Sequence, residues 1–297
     1  MLRSARTTTP LALLLAAALL AALTALAAPT AADASTEWAS PDEATITPGV
    51  QMLTGGGQCT ANFVFTDGAD VLLGYSAHCA GTDGSTATNG CDAGTQPTGT
   101  TSVEIEGADR PGTLVYSSWE TMQDRGETDA NTCQYNDFAL VAVHPDDHDK
   151  VNPTIPFWGG PDALGADTAA AEKVYTYGNS SLRLGIELLS PKEGYSLGQS
   201  GDGWNHPVYT VTPGVPGDSG SAFLDGDGNA VGSLSTLALA PLPASNGVTD
   251  LALALAYANE HGDMDAELAT GTTPFGGGLV LPDLTTSTTS LTSGLLR

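Results

Sequence analysis

The sequence predicts an all-β fold, barrel or sandwich, on two observations. Apolar runs of strand length recur along the chain, each bounded by a turn step such as Asp-Gly, Asn-Gly, Pro-Gly or Gly-Gly. Helical periodicity is almost absent before Thr249. The 36 glycines, with frequent Ser and Thr, fit many turns and strands rather than a helical bundle.

The elements follow in chain order. Arg3 and Arg6 form a short basic region, residues 11–28 an apolar stretch, and Ala32-Asp33-Ala34 a small-residue cleavage pattern, the layout of a secretory signal peptide over 1–34. The apolar stretch is just long enough to be weighed as a membrane span, but small Ala residues dominate it and no basic stop-transfer run follows. Cleavage near Ala27 or Ala28 is an alternative start. After a polar lead, strands are expected at 62–65, 71–75, 113–116, 138–143, 173–178, 208–211, 222–224 and 230–234. Asp67-Gly68 and the run Asp225-Gly226-Asp227-Gly228-Asn229 read as hairpin turns. The latter is weighed as a calcium loop and set aside, because Ala230 stands where glycine is needed and Thr236 where a bidentate Glu belongs. One helix is expected near 249–268, with a cap at Thr249 or Asp250. Residues 271–297 read as a polar C-terminal extension, partly disordered.

Charge excludes some partners. Beyond residue 34 there are 7 basic residues (9 less Arg3 and Arg6) and 33 acidic ones (34 less Asp33). Such a surface disfavours nucleic acid and anionic membranes, and no second apolar run of membrane length follows, so an exported, soluble monomer is expected. Cys59, Cys79, Cys91 and Cys133 are an even set in an exported chain and imply two disulfides, with three connectivities open. A zinc site is disfavoured because no C-x-x-C pair exists.

The stretch PGVPGDSGSAF sets Ser219 among glycines, as a sharpened nucleophile or as a plain turn. A serine hydroxyl attacks only when a base accepts its proton and a carboxylate fixes that base. Of five histidines, His78 stands at the end of an apolar strand beside Cys79. His144 and His148 read as a solvated charged loop, His206 as an unanchored loop residue, and His261 as a helix-end histidine. Asp137 immediately precedes the apolar run 138–143 and is drawn toward the core, where it needs a partner. Asp124, Asp129, Asp146 and Asp147 read as surface charge.

SAHC, then NDFAL, then GDSGS, in that order, resembles the trypsin/chymotrypsin-like serine peptidase family, especially its secreted bacterial branch. The resemblance covers about residues 35–269 and implies two six-stranded antiparallel β-barrels with a C-terminal helix, filling a peptidase domain at 35–270. It implies a secreted serine endopeptidase acting through an acyl-enzyme on polypeptides, without a cofactor. Ser219 would be the nucleophile, His78 the base and then acid, Asp137 its orienter, and the N–H groups of Gly217 and Ser219 the oxyanion hole. It also implies bridges Cys59–Cys79 and Cys91–Cys133, Ser235 supporting Asp137, and Thr236 and Leu237 lining the specificity pocket. Pro213 stands where trypsin-like members carry Asp, so cleavage after basic residues is not expected, and a preference for small or medium apolar residues is. The family's basic activation sequence is missing, which leaves the partner of Asp218 open. Two rivals are an α/β-hydrolase esterase using Ser219, Asp250 and His261, and a non-catalytic homologue acting as a binding module.

Overall fold

The computed structural model describes residues 37–83, 88–238 and 243–277. The expected signal peptide and most of the expected C-terminal extension lie outside the described residues. In chain order the elements are β1 (Gln51–Thr54), β2 (Gly57–Thr60), β3 (Val64–Asp67), β4 (Asp70–Tyr75), β5 (Ser102–Ile105), β6 (Gly112–Ser117), α1 (Ser118–Arg125), α2 (Ala130–Tyr135) and β7 (Ala139–Ala142). The second half holds β8 (Lys173–Tyr177), β9 (Pro191–Ser196), β10 (Asn205–Thr210), β11 (Ala222–Leu224), β12 (Ala230–Ala238), β13 (Ser245–Asp250), α3 (Leu251–His261) and β14 (Glu267–Leu268).

All strand ladders are antiparallel. The second half closes as the barrel β10-β13-β12-β11-β8-β9. The first half runs β14-β3-β4-β7-β6-β5-β1-β2, and β2, at one end, continues directly into β3, next to the other end. Between β2 and β3, Ala61 continues the β1 ladder (Ala61 N–H to Val50 O, 2.9 Å), while Asn62 joins the β4 ladder (Asn62 N–H to Gly74 O, 2.8 Å). The bent strand 57–67 therefore closes a second six-stranded barrel, β1, β2–β3, β4, β7, β6 and β5, with β14 added on β3. This is the expected chymotrypsin-like pair of barrels with a C-terminal helix.

Period-two alternation explains why the barrel strands read as unbroken apolar runs. On β4, Val71, Leu73 and Tyr75 fill the first barrel while Leu72 joins the layer between the barrels. Across from it, Ala139 and Val141 of β7 point inward, and Phe138 and Leu140 join that same layer. Phe223 of β11 enters the second barrel's core with Val174, Val208, Val231, Leu234 and Val248, while its neighbours Ala222 and Leu224 face the layer. One apolar layer thus lies between the two cores.

The expected helix is shorter than its apolar pattern, running Leu251–His261 with the Asp250 carboxylate accepting the Leu253 N–H. Gly262 ends it, and the chain turns back to add β14. The helices α1 and α2 were not legible: α1 buries only Ser118, Trp119 and Met122. Residues 271–277 of the extension pack on the fold, with Thr272 bonded to Asn152 and Thr154 and Phe275 against Tyr175. The Asp225 run forms the β11–β12 hairpin, its Asp225 carboxylate accepting the N–H groups of Asp227 and Asn229. Both disulfides are present, Cys59–Cys79 and Cys91–Cys133.

Candidate active site

His78 sits on a short 3-10 turn, Ala77–Ala80, directly after β4, and the Cys59–Cys79 bridge pins that turn to β2. Asp137 stands at the entry to β7, which pairs with β4, so strand pairing alone brings the two residues together. His78 Nδ1 donates to Asp137 Oδ2 at 2.7 Å, and the His78 backbone N–H donates to Oδ1 at 2.8 Å. Ser235 Oγ, on β12 of the other barrel, donates to Oδ2 at 2.6 Å. The Asp137 carboxylate is buried and has all three donors aimed at it.

These contacts set the charge states. Burial works to lower the His78 pKa, but the Asp137 charge and hydrogen bond outweigh it and hold the imidazole above its ordinary value. Burial works to raise Asp137, yet the His78 charge, the hydrogen bonds from His78 and Ser235 and the His78 backbone N–H hold it below the usual carboxylate range. The result is an imidazole with Nδ1 committed to Asp137 and Nε2 free to exchange a proton, the tautomer a general base needs.

Ser219 lies in the connection from β10 to β11, at the junction of the barrels. Its carbonyl accepts the Thr60 N–H at 2.8 Å, and the next residue, Gly220, donates to Leu234 O at 2.7 Å. Ser76 Oγ, two residues before His78, donates to the same Leu234 carbonyl at 2.9 Å. Leu234 and Ser235 therefore link the Ser219 loop, the His78 turn and Asp137. A Cβ at Gly220 would stand 2.4 Å from Thr60 O and 3.1 Å from Ser76 N, so only glycine allows the loop this close to the His78 strand. The half-buried Ser219 hydroxyl takes no protein partner among the described residues.

Gly217 has φ +95°, a conformation glycine adopts freely. Its carbonyl accepts from Thr60 Oγ1 at 2.7 Å and Gln58 Nε2 at 3.0 Å, and Ser180 Oγ donates to the preceding Pro216 carbonyl. Those bonds engage the carbonyls of both Pro216 and Gly217. The N–H groups of Gly217 and Ser219 take no protein acceptor among the described residues. Two unengaged donors beside a hydroxyl are what a developing oxyanion requires.

Sequence reasoning missed the partners of Asp218. This carboxylate is fully buried and ion-paired with Arg183 and with Lys192 Nζ at 2.8 Å, and it accepts the N–H groups of Ser180 and Val215 at 3.1 Å each. Burial works to raise the Asp218 pKa, but the Arg183 hydrogen bond and the Lys192 charge hold it low. Lys192 itself is pushed below the ordinary lysine value by burial, against the pull of Asp218. One signal was available: only seven basic residues follow residue 34, and Lys192 falls at an inward position of β9.

The remaining expected residues are placed as follows. Gly214, next to Pro213, donates its N–H to Asn246 Oδ1 at 2.8 Å, and Asn246 Nδ2 donates to Thr236 O at 3.1 Å, so a buried Asn joins the Pro213 loop to β12. Leu237 is exposed on β12. His206, expected to be unanchored, is buried, because its Nε2 bonds Asp250 Oδ2 at 2.7 Å and its Nδ1 meets Thr168 Oγ1 at 2.9 Å. That pairing also undoes the esterase set, since Asp250 serves His206 and the α3 cap while His261 packs on Tyr257. Asp147, expected on the surface, is buried and bonded to Lys150 and to the N–H groups of Asp109 and Arg110. Asp129 caps α2. The sulfurs of Cys59 and Cys79 crowd His78 but are consumed in their bridge, so they offer no thiolate to a metal.

The two closed barrels and the junction between them define a chymotrypsin-like fold. The structure is similar to Thermobifida fusca Protease A (17% identity, 77% of this chain and 100% of that one, TM-score 0.48). It is also similar to Nocardiopsis protease (15% identity, 75% and 98%, TM-score 0.46) and to Cellulomonas bogoriensis chymotrypsin (17% identity, 72% and 95%, TM-score 0.43). No family model and no curated protein matches the chain.

Proposed function

We propose that the chain is a secreted serine endopeptidase. The observation that carries this reading is the buried Asp137 carboxylate holding His78 by two hydrogen bonds, with Ser219 tied through Leu234 to the same turn. Ser219 Oγ attacks the scissile carbonyl as His78 Nε2 takes its proton. Asp137 stabilises the imidazolium, and the Gly217 and Ser219 N–H groups bind the oxyanion. His78 then protonates the leaving amine, the acyl-enzyme forms, and water repeats the sequence in reverse.

The acyl half of the substrate lies along β12, with Ser235, Thr236 and Leu237 and the Pro213 loop beside the side chain before the cleaved bond. No carboxylate stands at Pro213, so basic side chains find no partner there, and small or medium apolar ones are preferred. Two disulfides suit an oxidising compartment. Among the described residues no helix is long and apolar enough to cross a membrane. The chain acts as a monomer on polypeptides, with no nucleic-acid partner, and a fold that supplies Asp218 with its own cations has no need of an activating amino terminus.

The test is a peptide-library cleavage profile of the purified chain with Ser219→Ala as control. Cleavage after small or apolar residues, abolished in Ser219→Ala, is expected. Cleavage after Lys or Arg, or cleavage that survives the substitution, contradicts the reading.

A further inference from the structure

The C-terminal ends of two helices meet at a cavity of about 250 Å³, lined by the last turn of α1, by residues 261–263 after α3 and by the end of β6. A helix leaves its last carbonyls without intrahelical partners, so its C-terminus is the negative end of the peptide dipole and favours a cation. Three carboxylates line the same space, Glu120, Asp124 and Asp263. Those of Asp124 and Asp263 take no hydrogen bond and no ion pair among the described residues, and Glu120 engages only Oε2, with the Thr98 N–H at 3.0 Å. The two basic residues of the cavity have neighbours of their own. The Arg125 charge acts on the Tyr257 hydroxyl, which donates to Glu127 Oε2 at 3.2 Å. The His261 ring packs on Tyr257 at 4.5 Å and meets Glu260 at 3.8 Å.

Exposed carboxylates are commonly just solvated, so the site rests on a different observation. Tyr116 lines the cavity and is 2% exposed, and its hydroxyl has no partner among the described residues. Proteins keep few buried polar groups in that state, because the lost hydration is not replaced. The Tyr116 ring edge packs on Gly262, where a Cβ would stand 2.4 Å from Cε2. Its hydroxyl lies close enough to Tyr257 of α3 to feel that residue's charge. It is therefore aimed into the gap between α1 and α3 that the cavity occupies.

The donor arrangement selects among cations. Oxygens on one bare divalent ion stand about 2.0–2.6 Å from it and so crowd together. Among the described residues only Cys59, His78 and Cys79 bring three such ligand atoms within 4.8 Å, so the carboxylates of this cavity do not converge in that way. An ammonium group carries three N–H donors and no acceptor, which matches one hydroxyl oxygen and two separated carboxylates. We propose that this cavity binds an alkylammonium group, which donates to the Tyr116 hydroxyl oxygen and to the Asp124 and Asp263 carboxylates and clamps α1 to α3. A net charge of −25 draws such a cation toward the protein. The cavity shares no residue with the candidate active site, and the inference does not depend on the peptidase reading.

The test uses the Ser219→Ala chain, so that no peptide is cut. It is titrated by calorimetry at low salt with cadaverine and, separately, with the tripeptide acetyl-Gly-Lys-Gly-amide. Saturable binding at one equivalent is expected. Tyr116→Phe keeps the ring and removes only the unpaired hydroxyl, so it should be as stable as its parent and bind about tenfold more weakly. The double variant Asp124→Asn, Asp263→Asn should also weaken binding about tenfold or more. Both sites are exposed, and Asn suits the left-handed backbone at 263 (φ +54°), so folding is kept. Binding of cadaverine alone identifies a free amine as the occupant, and binding of the tripeptide identifies a lysine side chain of a partner polypeptide; either supports the inference. No saturable binding of either probe, or binding that either variant leaves unchanged, overturns it. So does binding of calcium alone that the variants lose while neither amine binds.

Discussion

Replacing Lys192 with Met tests how the site is held together. Asp218 is fully buried, and Lys192 and Arg183 are 2% and 10% exposed, so the cluster has almost no water to fall back on. Removing one partner of a buried ion pair costs about 3–5 kcal/mol. Asp218 keeps Arg183 and two backbone N–H donors in Lys192→Met, so the loss belongs at the lower end, about 3 kcal/mol. With Arg183→Met added, the carboxylate has no cation left and the total rises to at least about 5 kcal/mol. The sign with pH follows from the lowered Asp218 pKa. Its stabilising contribution is present above the ordinary carboxylate range and is lost as pH falls through the lowered value. Urea unfolding at neutral and acidic pH measures this directly, and the variants should differ from wild type most at neutral pH. Because Asp218 adjoins Gly217 and Ser219, anilide kcat should fall about tenfold or more in the single variant, with KM little changed. A Lys192→Met protein that is as stable and as active as wild type refutes the reasoning.

Three further outcomes are expected. Asp137→Asn should lower kcat/KM by about 10⁴. Since Asp137 raises His78 against the opposing effect of burial, the acid limb of the pH–rate profile should also move to lower pH in that variant. Gly217→Ala should cut kcat by about 10²–10³ with the fold retained, because a Cβ there meets Gln58 Oε1 at 2.5 Å in a left-handed conformation and shifts the Gly217 N–H. Removing the Cys91–Cys133 bridge, which closes a 42-residue separation, should cost about 4 kcal/mol in denaturant unfolding, against about 3 kcal/mol for Cys59–Cys79 at 20 residues. For that second bridge alone, activity should fall together with stability.

What the sequence revealed depended on burial. Strands covered on both faces, such as β4 and β7, are unbroken apolar runs and were legible almost to the residue. Strands β1, β5 and β9 alternate with polar residues over short lengths and were not. In β9 the inward positions are Lys192, Gly194 and Ser196, which no hydrophobic pattern marks, because one of them serves Asp218 rather than the core. His206 sat in a Gly-rich stretch that reads as loop, yet β10 carries it inward to a buried Asp250. At the candidate site, His78, Asp137 and Ser219 stood out because each adjoins a strand end or a glycine turn in a known order. Arg183 did not, since it comes from an exposed apolar loop whose link to Asp218 exists only in three dimensions.

The central claim is that His78 activates Ser219. Its most direct measurement is covalent labelling by a fluorophosphonate, with the adduct mapped by mass spectrometry in wild type, His78→Ala and His261→Ala. One adduct is expected, on Ser219, at equal rates in wild type and His261→Ala and strongly slowed in His78→Ala. An unlabelled Ser219 in folded protein, or labelling indifferent to His78, would contradict it.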